Sequence, residues 1–155
     1  MNIQLRPYRA DEYERAAEIR QITDFEHLER WRKRMETSGK WDDHYLHLAI
    51  QVDGELAGDL QVRHCMQTMP DGVLDLGLEL ATDMQGKGIG TKVLKLAAER
   101  FFSEGFHRIS GSTDVSNKAM IRAFEKAGWV YEGTLRGLFN ENGKLHDYES
   151  FSITI

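Results

Sequence analysis

Leu74–Thr91 reads LDLGLELATDMQGKGIGT and carries two patterns back to back. In the first half, Leu74, Leu76, Leu78 and Leu80 alternate with Asp75, Gly77 and Glu79. Alternation of period two predicts a strand. The second half, Gln85-Gly86-Lys87-Gly88-Ile89-Gly90-Thr91, is a glycine-rich turn. Behind it Ile89, Val93, Leu96, Ala97 and Phe101 recur at helical spacing and predict an amphipathic helix. The order is strand, glycine turn, helix. Glycines permit positive φ and let a ligand approach the main chain closely. The first N–H groups of the following helix have no intrahelical partner, and the helix dipole adds partial positive charge there. Together these features favour a phosphate or pyrophosphate, and Lys87 can add a cation. The bland alternative is an ordinary loop with flexible glycines.

Working outward, the N-terminal side begins with a short strand over Ile3–Tyr8. Residues 10–21 form a charged amphipathic pattern with Tyr13, Ala16, Ala17 and Ile19 on its apolar side. Asp24 can cap a second helix that runs to Glu36 and carries Phe25, Leu28, Trp31 and Met35. A polar loop follows, then a strand over Tyr45–Val52. Asp53-Gly54 signals a two-residue hairpin into a partner strand over Leu56–Met66. Pro70-Asp71-Gly72 is a second turn.

On the C-terminal side, Gly105 suits the end of the central helix. Arg108–Thr113 reads as a strand, and Ser116-Asn117 open a helix that Gly128 closes. Trp129–Leu138 and Leu145–Ile155 read as strands joined at Asn142-Gly143. The order is therefore β-α-α-β-β-β-α-β-α-β-β. No linker, repeat or low-complexity tract divides it, so residues 1–155 are expected to form one domain of mixed α/β class.

The composition narrows the partners. A formal net charge of −5 argues against a nucleic-acid surface, which usually shows a basic patch. It is mildly consistent with a cationic substrate. The one cysteine, Cys65, excludes an internal disulfide framework and suits a reducing compartment; a small buried apolar role is expected for it. The opening MNIQLRPYRADEYER has no apolar run, and no segment has the length of a membrane-spanning helix. A cytoplasmic protein without membrane contact is the expectation. The histidines show no metal-binding spacing, and no metal is expected.

Neither common phosphate motif fits the turn. A P-loop needs G-x-x-x-x-G-K-[ST], and Gly86, Gly88 and Gly90 are spaced G-x-G-x-G instead of the dinucleotide fingerprint G-x-G-x-x-G. Gln85, Gly88 and Gly90 do match the [QR]-x-x-G-x-[GA] signature of the GNAT superfamily of N-acetyltransferases. Asn117 with Glu125-Lys126-Ala127-Gly128-Trp129 is similar to that family's N-x-x-[AS]-x-x-x-[YL]-E-K-x-G-[FW] helix. Gly133-x-Leu135-Arg136, Asn142-Gly143-Lys144 and Asp147 resemble the tail of its ribosomal-protein-alanine acetyltransferase (RimJ/RimL-like) branch.

The resemblance covers essentially the whole chain. It implies the acyl-CoA N-acyltransferase fold, a twisted mixed sheet of about seven strands flanked by about four helices. It implies acetyl-CoA as cosubstrate, a small-molecule or peptide amine as acceptor, and compatibility with a homodimer. Gln85, Gly86, Lys87, Gly88, Ile89, Gly90 and Thr91 would hold the pyrophosphate. The backbone of Leu78, Glu79 and Leu80 would pair with the pantetheine arm like an added strand. Asn117 would contact that arm, although asparagine also favours the first position of a helix for capping reasons alone.

Acetyl transfer to an amine needs a neutral nucleophile, yet a free α-amine has a pKa near 7.7–8.0 and a lysine near 10.4. A carboxylate near the amine can serve as base, directly or through water. Asp75, ten residues before Gln85 on the central strand, is the first candidate: the resemblance implies a basic Glu at this place in several relatives, and its leucine neighbours would help desolvate it. The alternative is a solvated sheet face. Glu79 is the second candidate, or else it only lines the cleft.

One position departs from the family pattern. Phe124 stands where many relatives carry a tyrosine that protonates the leaving thiolate. It is expected to pack near the cofactor sulfur. A thiol of pKa about 8.5 leaves without much help. The departure keeps open a non-catalytic acyl-CoA-binding module of the same fold. The segment from Asp24 to Tyr45, with Trp31, Trp41, Asp42 and Asp43, is expected to shape acceptor choice, because variable loops carry specificity.

Overall fold

The computed structural model describes residues 1–155. Its elements follow the expected order: β1 (Ile3–Arg6), α1 (Tyr13–Ile19), α2 (Phe25–Glu36), β2 (Tyr45–Val52), β3 (Glu55–Arg63), β4 (Val73–Leu80), α3 (Ile89–Ser103), β5 (Arg108–Asp114), α4 (Lys118–Lys126), β6 (Val130–Glu141) and β7 (Lys144–Thr154). Short 3-10 turns at Ala10–Glu12 and Thr82–Met84 precede α1 and the glycine turn. No helix is long and apolar enough to cross a membrane.

The seven strands form one sheet in the order β1-β2-β3-β4-β5-β7-β6. Every pairing is antiparallel except that of β4 with β5. That parallel pairing runs only from Val73↔Arg108 to Leu76↔Gly111. Beyond it the last four residues of β4 stay paired to β3, as Gln61↔Gly77 to Gly58↔Leu80, and no longer to β5. The sheet splits there.

Strand periodicity explains which helices lie where. Leu74 and Leu76 of β4, Leu60 and Val62 of β3 and Ile109 of β5 point to one face. They meet Val93, Leu94, Ala97 and Phe101 of α3 and Ala123 and Phe124 of α4 in the larger core cluster. A smaller cluster on the other face joins Ala16, Ala17 and Ile19 of α1 to Trp31 of α2. Each face of a central strand must be covered, and two helices on each side do this.

Local signals account for the ends of elements. Asp24 accepts from His27 N–H at 3.0 Å and caps α2. Asp53 and Gly54 both take positive φ, 49° and 89°, as a tight hairpin demands.

Several expectations shift. The first helix splits into a 3-10 turn and α1, and β1 stops at Arg6 because Pro7 can donate no ladder hydrogen bond. On α3 it is Leu94, fully buried, that joins the core, while Leu96 lies at its margin. Phe25, in the first turn of α2, is 78% exposed and takes no part in the core that Trp31 joins. Cys65 is partly exposed, not buried, and its thiol donates to Gln67 Oε1 at 3.3 Å.

Candidate functional site

The split between β4 and β5 opens a cleft of about 730 Å³. Its two walls differ in chemistry. One wall is backbone. Gly86 and Gly88 take φ of 75° and 78°, in the left-handed region that glycine occupies without strain. A Cβ built on either would meet no protein atom within 4 Å, so the space in front of them is open. Gly88 is the N-cap of α3 and supplies no side chain to satisfy the first turn. The N–H groups there are free for an anion. A pyrophosphate fits this cradle.

The side chains of the turn do less than the sequence suggested. Lys87 is exposed and does not line the cleft. The cations on this side are instead Arg122 and Lys126 of α4. The Ile89 side chain is 1% exposed and belongs to the core, leaving only its backbone to the cleft. Gln85 donates from Nε2 to Leu80 O at 3.2 Å, which ties the loop back to the end of β4. Thr91 and the buried Gly90 line the cleft just inside the helix.

Leu78, Glu79 and Leu80 form the edge of β4 that has left β5, and all three line the cleft. Such an edge presents unpaired backbone groups to an extended ligand. Asn117 lines the opposite rim. Its side-chain oxygen accepts from Met120 N–H at 3.2 Å, so it caps α4, and its amide nitrogen stays available.

Phe124 has a different setting from the one expected. It is 1% exposed, stacked on Phe151 at 4.8 Å and packed against Trp129 at 5.1 Å. A Cβ on Gly111 would lie 3.0 Å from its ring and 3.3 Å from Leu76 O. Gly111↔Leu76 is the last rung before the sheet divides. The ring therefore plugs the apex of the split from the core side and reaches the cleft only as part of its floor. A tyrosine hydroxyl there would need a polar partner among aromatic rings.

The second wall is made of side chains on the other sheet face, the one turned toward α1. Glu79 of β4 stands there, 47% exposed, with Arg20 Nη1 at 3.3 Å. Burial of its carboxyl within the cleft raises its pKa; Arg20 opposes the rise and Asp59 adds to it. Asp75 lies further along the same face. Arg63 holds one of its oxygens through Nε at 2.9 Å and Nη2 at 2.7 Å, and Ser110 donates to the other at 3.1 Å. Leu74 and Leu76 point away from it into the core, so they do not desolvate it as expected. Both of its oxygens are thus engaged, and Asp75, a candidate base by sequence, does not line the cleft, whereas Glu79 does.

Tyr148 of β7 lines the same cleft, and the sequence reading passed over it. Burial, then Asp114, Glu141 and Glu79, raise its pKa and keep its hydroxyl protonated. Arg15, Glu18, Arg20, Gln61 and Arg63 complete this wall. No residue of Asp24–Tyr45 lines it. Trp31 is 4% exposed beneath the sheet, and Trp41 packs near Phe106, 6.3 Å away. The cleft is bordered by α1, which packs on β3, while α2 sets Trp31 and Arg34 against His47 and Tyr45 of β2.

The fold and cleft define a class, and comparison with known proteins agrees. The Acetyltransferase (GNAT) family profile matches residues 16–129. The chain belongs to that family. A probable N-acetyltransferase of Bacillus subtilis (strain 168), YjcK, is 28% identical and covers 98% of this chain and 86% of its own length. The prophage-derived uncharacterized N-acetyltransferase YokL of the same organism is 24% identical. Its match spans 72% of this chain and 63% of that relative's length.

Among solved structures, a spermidine N-acetyltransferase chimera built on the Vibrio cholerae protein superposes with a TM-score of 0.80 at 19% identity. That match covers 99% of this chain and 96% of the other. A GNAT-family acetyltransferase from Bacillus anthracis gives 0.80 at 15% identity, covering 99% and 95%. At such identities these two matches speak for the fold.

Proposed function

We propose that this protein is an acetyl-CoA-dependent N-acetyltransferase that acts on a primary amine by direct attack on the thioester. The observation that carries this reading is the divided sheet. A glycine-lined helix N-terminus lies on one side of the split and a carboxylate of raised pKa on the other. Acetyl-CoA brings the activated acyl group. The chain's own part is to bind, orient and move protons.

The turn from Gly86 to Thr91, with Arg122 and Lys126, holds the diphosphate. The free edge of Leu78–Leu80 aligns the arm, and Asn117 steadies it from the opposite rim. Glu79 takes the proton of the incoming ammonium, through water where the amine lies out of direct reach. Its raised pKa brings it closer to that task. Tyr148 is the hydroxyl available to the departing thiolate, in place of the tyrosine that Phe124 replaces.

The acceptor wall favours a molecule with one cationic amine. Arg15, Arg20 and Arg63 line it, each already paired with a carboxylate, so few anions stay free for the distal ammonium groups of a polyamine. A peptide N-terminal amine suits this wall. Its pKa near 7.7–8.0 leaves a useful neutral fraction at neutral pH. The resemblance of Gly133–Asp147 to the alanine acetyltransferase branch supports the same acceptor.

The test is thiol release from acetyl-CoA with a panel of a free-N-terminal peptide, an amino acid, spermidine and an aminoglycoside. Turnover with the peptide above the others is the expected result. Turnover with spermidine alone overturns the acceptor class. Calorimetric binding of acetyl-CoA without turnover on any amine overturns the enzyme reading in favour of a binding module.

A further inference from the structure

Behind Glu79 lies a buried acidic residue that the reaction does not touch. Asp59 of β3 is cross-strand partner to Glu79 and is 0% exposed. Three donors surround its carboxylate. Tyr8 donates to Oδ1 at 2.5 Å, Gln61 Nε2 donates to Oδ2 at 3.1 Å, and Arg20 Nη1 stands 3.7 Å from Oδ2. Burial raises its pKa, while Tyr8, Arg20 and Gln61 favour the ionised form and oppose the rise.

The same Arg20 Nη1 reaches Glu79 at 3.3 Å. Arg20 follows α1 directly, its guanidinium lies over the Trp31 ring at 5.6 Å, and its buried Nε has no partner. One guanidinium is thus shared between a sealed carboxylate and a carboxylate in the cleft.

We propose that Asp59 and Arg20 are positioning residues that set the charge and orientation of Glu79. Asp59 draws the Arg20 guanidinium inward and divides its charge, so Glu79 is oriented by it without being neutralised as Asp75 is by Arg63. This rests on the reading of Glu79 as the base, but its signature lies in the titration of Glu79 itself.

Arg20, Asp59 and Tyr148 interact with Glu79, and the other charged groups lining this side of the cleft are Arg15 and Glu18 of α1 and Arg63 of β3. Of these, Arg20 and Asp59 act with opposite sign. Removing Asp59 takes away a neighbouring negative charge and leaves Arg20 to Glu79 alone, so the carboxyl becomes more acidic. Removing Arg20 takes away the cation, so it becomes less acidic.

The experiment follows the Glu79 carboxyl by carbon-13 NMR across pH in the whole protein. Asp59→Asn is expected to lower the midpoint by about 0.5 unit and Arg20→Gln to raise it by about 1 unit, while Arg20→Lys stays near wild type. The acidic limb of kcat/KM should move in the same directions. If Asp59→Asn fails to fold, the Arg20→Gln and Arg20→Lys pair decides alone.

A midpoint that stays in place, or that moves the same way in both folded variants, overturns the coupling. Opposite shifts together with a Glu79→Gln enzyme of unchanged rate support the coupling and remove Glu79 as base. The two readings therefore fail separately.

Discussion

The two walls of the cleft are built on different principles. The wall we assign to the diphosphate is a main-chain surface: two left-handed glycines, an uncapped helix N-terminus and a strand edge released from its neighbour. The wall we assign to the acceptor is a side-chain surface: Glu79, Arg20, Arg63 and Tyr148, drawn from the end of α1, β3, β4 and β7 and held by cross-strand contacts. A main-chain site depends on residues adjacent in sequence. A side-chain site depends on which residues the register sets opposite one another. The first should break under changes of backbone geometry, the second under changes of charge.

The largest effect is expected on the acceptor wall. Glu79→Gln keeps the shape and removes the base, and kcat/KM at pH 7 should fall by about 10²–10⁴. The deficit should shrink as pH rises and the amine becomes neutral on its own. Steady-state rates from pH 6.5 to 9.5 with the peptide acceptor measure this. A variant with wild-type rates at pH 7 would leave this wall without its base.

The second effect concerns the support of that wall. His47 of β2 lies beside Gln61 in register, is 4% exposed, and has a buried Nε2 without a partner. Burial lowers its pKa from 6.5 to about 4, and Arg34, Arg20 and Arg63 add to the shift. The unfolded chain therefore binds this proton at a higher pH than the folded one. His47's contribution is intact above pH 6.5 and is lost as pH falls toward 4. Linkage puts the loss at about 3 kcal/mol.

Asp59 acts in the opposite direction, since burial raises its pKa and its protonation favours the folded state on acidification. The difference between wild type and His47→Gln therefore isolates the histidine. Urea unfolding at pH 7.5 and 4.5 should show the variant losing less stability on acidification. Equal losses would mean that His47 reaches water.

The diphosphate wall is tested by Gly88→Val. No protein atom obstructs the new side chain, so the protein should fold, at a cost of about 1–2 kcal/mol for a β-branched residue at positive φ. The branched carbons would occupy the phosphate space. Calorimetry should show acetyl-CoA affinity falling at least about tenfold, roughly 1.4 kcal/mol. The Glu79→Gln affinity should stay unchanged. If both variants lose affinity alike, the two walls are one site and the contrast fails.

The same contrast explains what could be read in advance. The element order and the strand-turn-helix were legible because they rest on periodicity and on glycines at fixed local spacing. So was the open glycine turn at the start of α3, to which we assign the diphosphate. Lys87 misled because a side chain flanked by left-handed glycines is turned to solvent, and the cations that line the cleft come from Arg122 and Lys126, more than thirty residues later. Phe124 was located by motif, but its place at the apex depends on Gly111 and Phe151, which only the sheet brings to it. The Arg20–Asp59–Glu79 chain joins three elements, and no local pattern marks it. Tyr148 was hidden in the same way, in an edge hairpin whose other face carries Phe151.

The smallest effect separates the two carboxylates of β4. Asp75 and Glu79 lie two strand periods apart on one face, and each has an arginine. The resemblance between them ends there. Arg63 grips Asp75 through two nitrogens, at 2.9 and 2.7 Å, and Ser110 takes its other oxygen. Arg20 reaches Glu79 through one nitrogen, which it shares with Asp59.

Asp75→Asn should therefore leave the chemistry in place. The Arg63–Asp75 pair is 36% exposed on each side, and pairs of that kind contribute about 0–1 kcal/mol. The asparagine still accepts from Ser110 or Arg63. Its cost is a guanidinium freed to swing in the acceptor wall, which should raise KM for a cationic amine a few fold, about 0.5–1 kcal/mol, with kcat unchanged. Salt should reduce that penalty, because the repulsion acts through solvent. A fall in kcat of a hundredfold at pH 7 that recovers at high pH would instead make Asp75 the base and Glu79 its neighbour. The pH dependence decides, because a lost base is compensated by hydroxide and a loosened arginine is not.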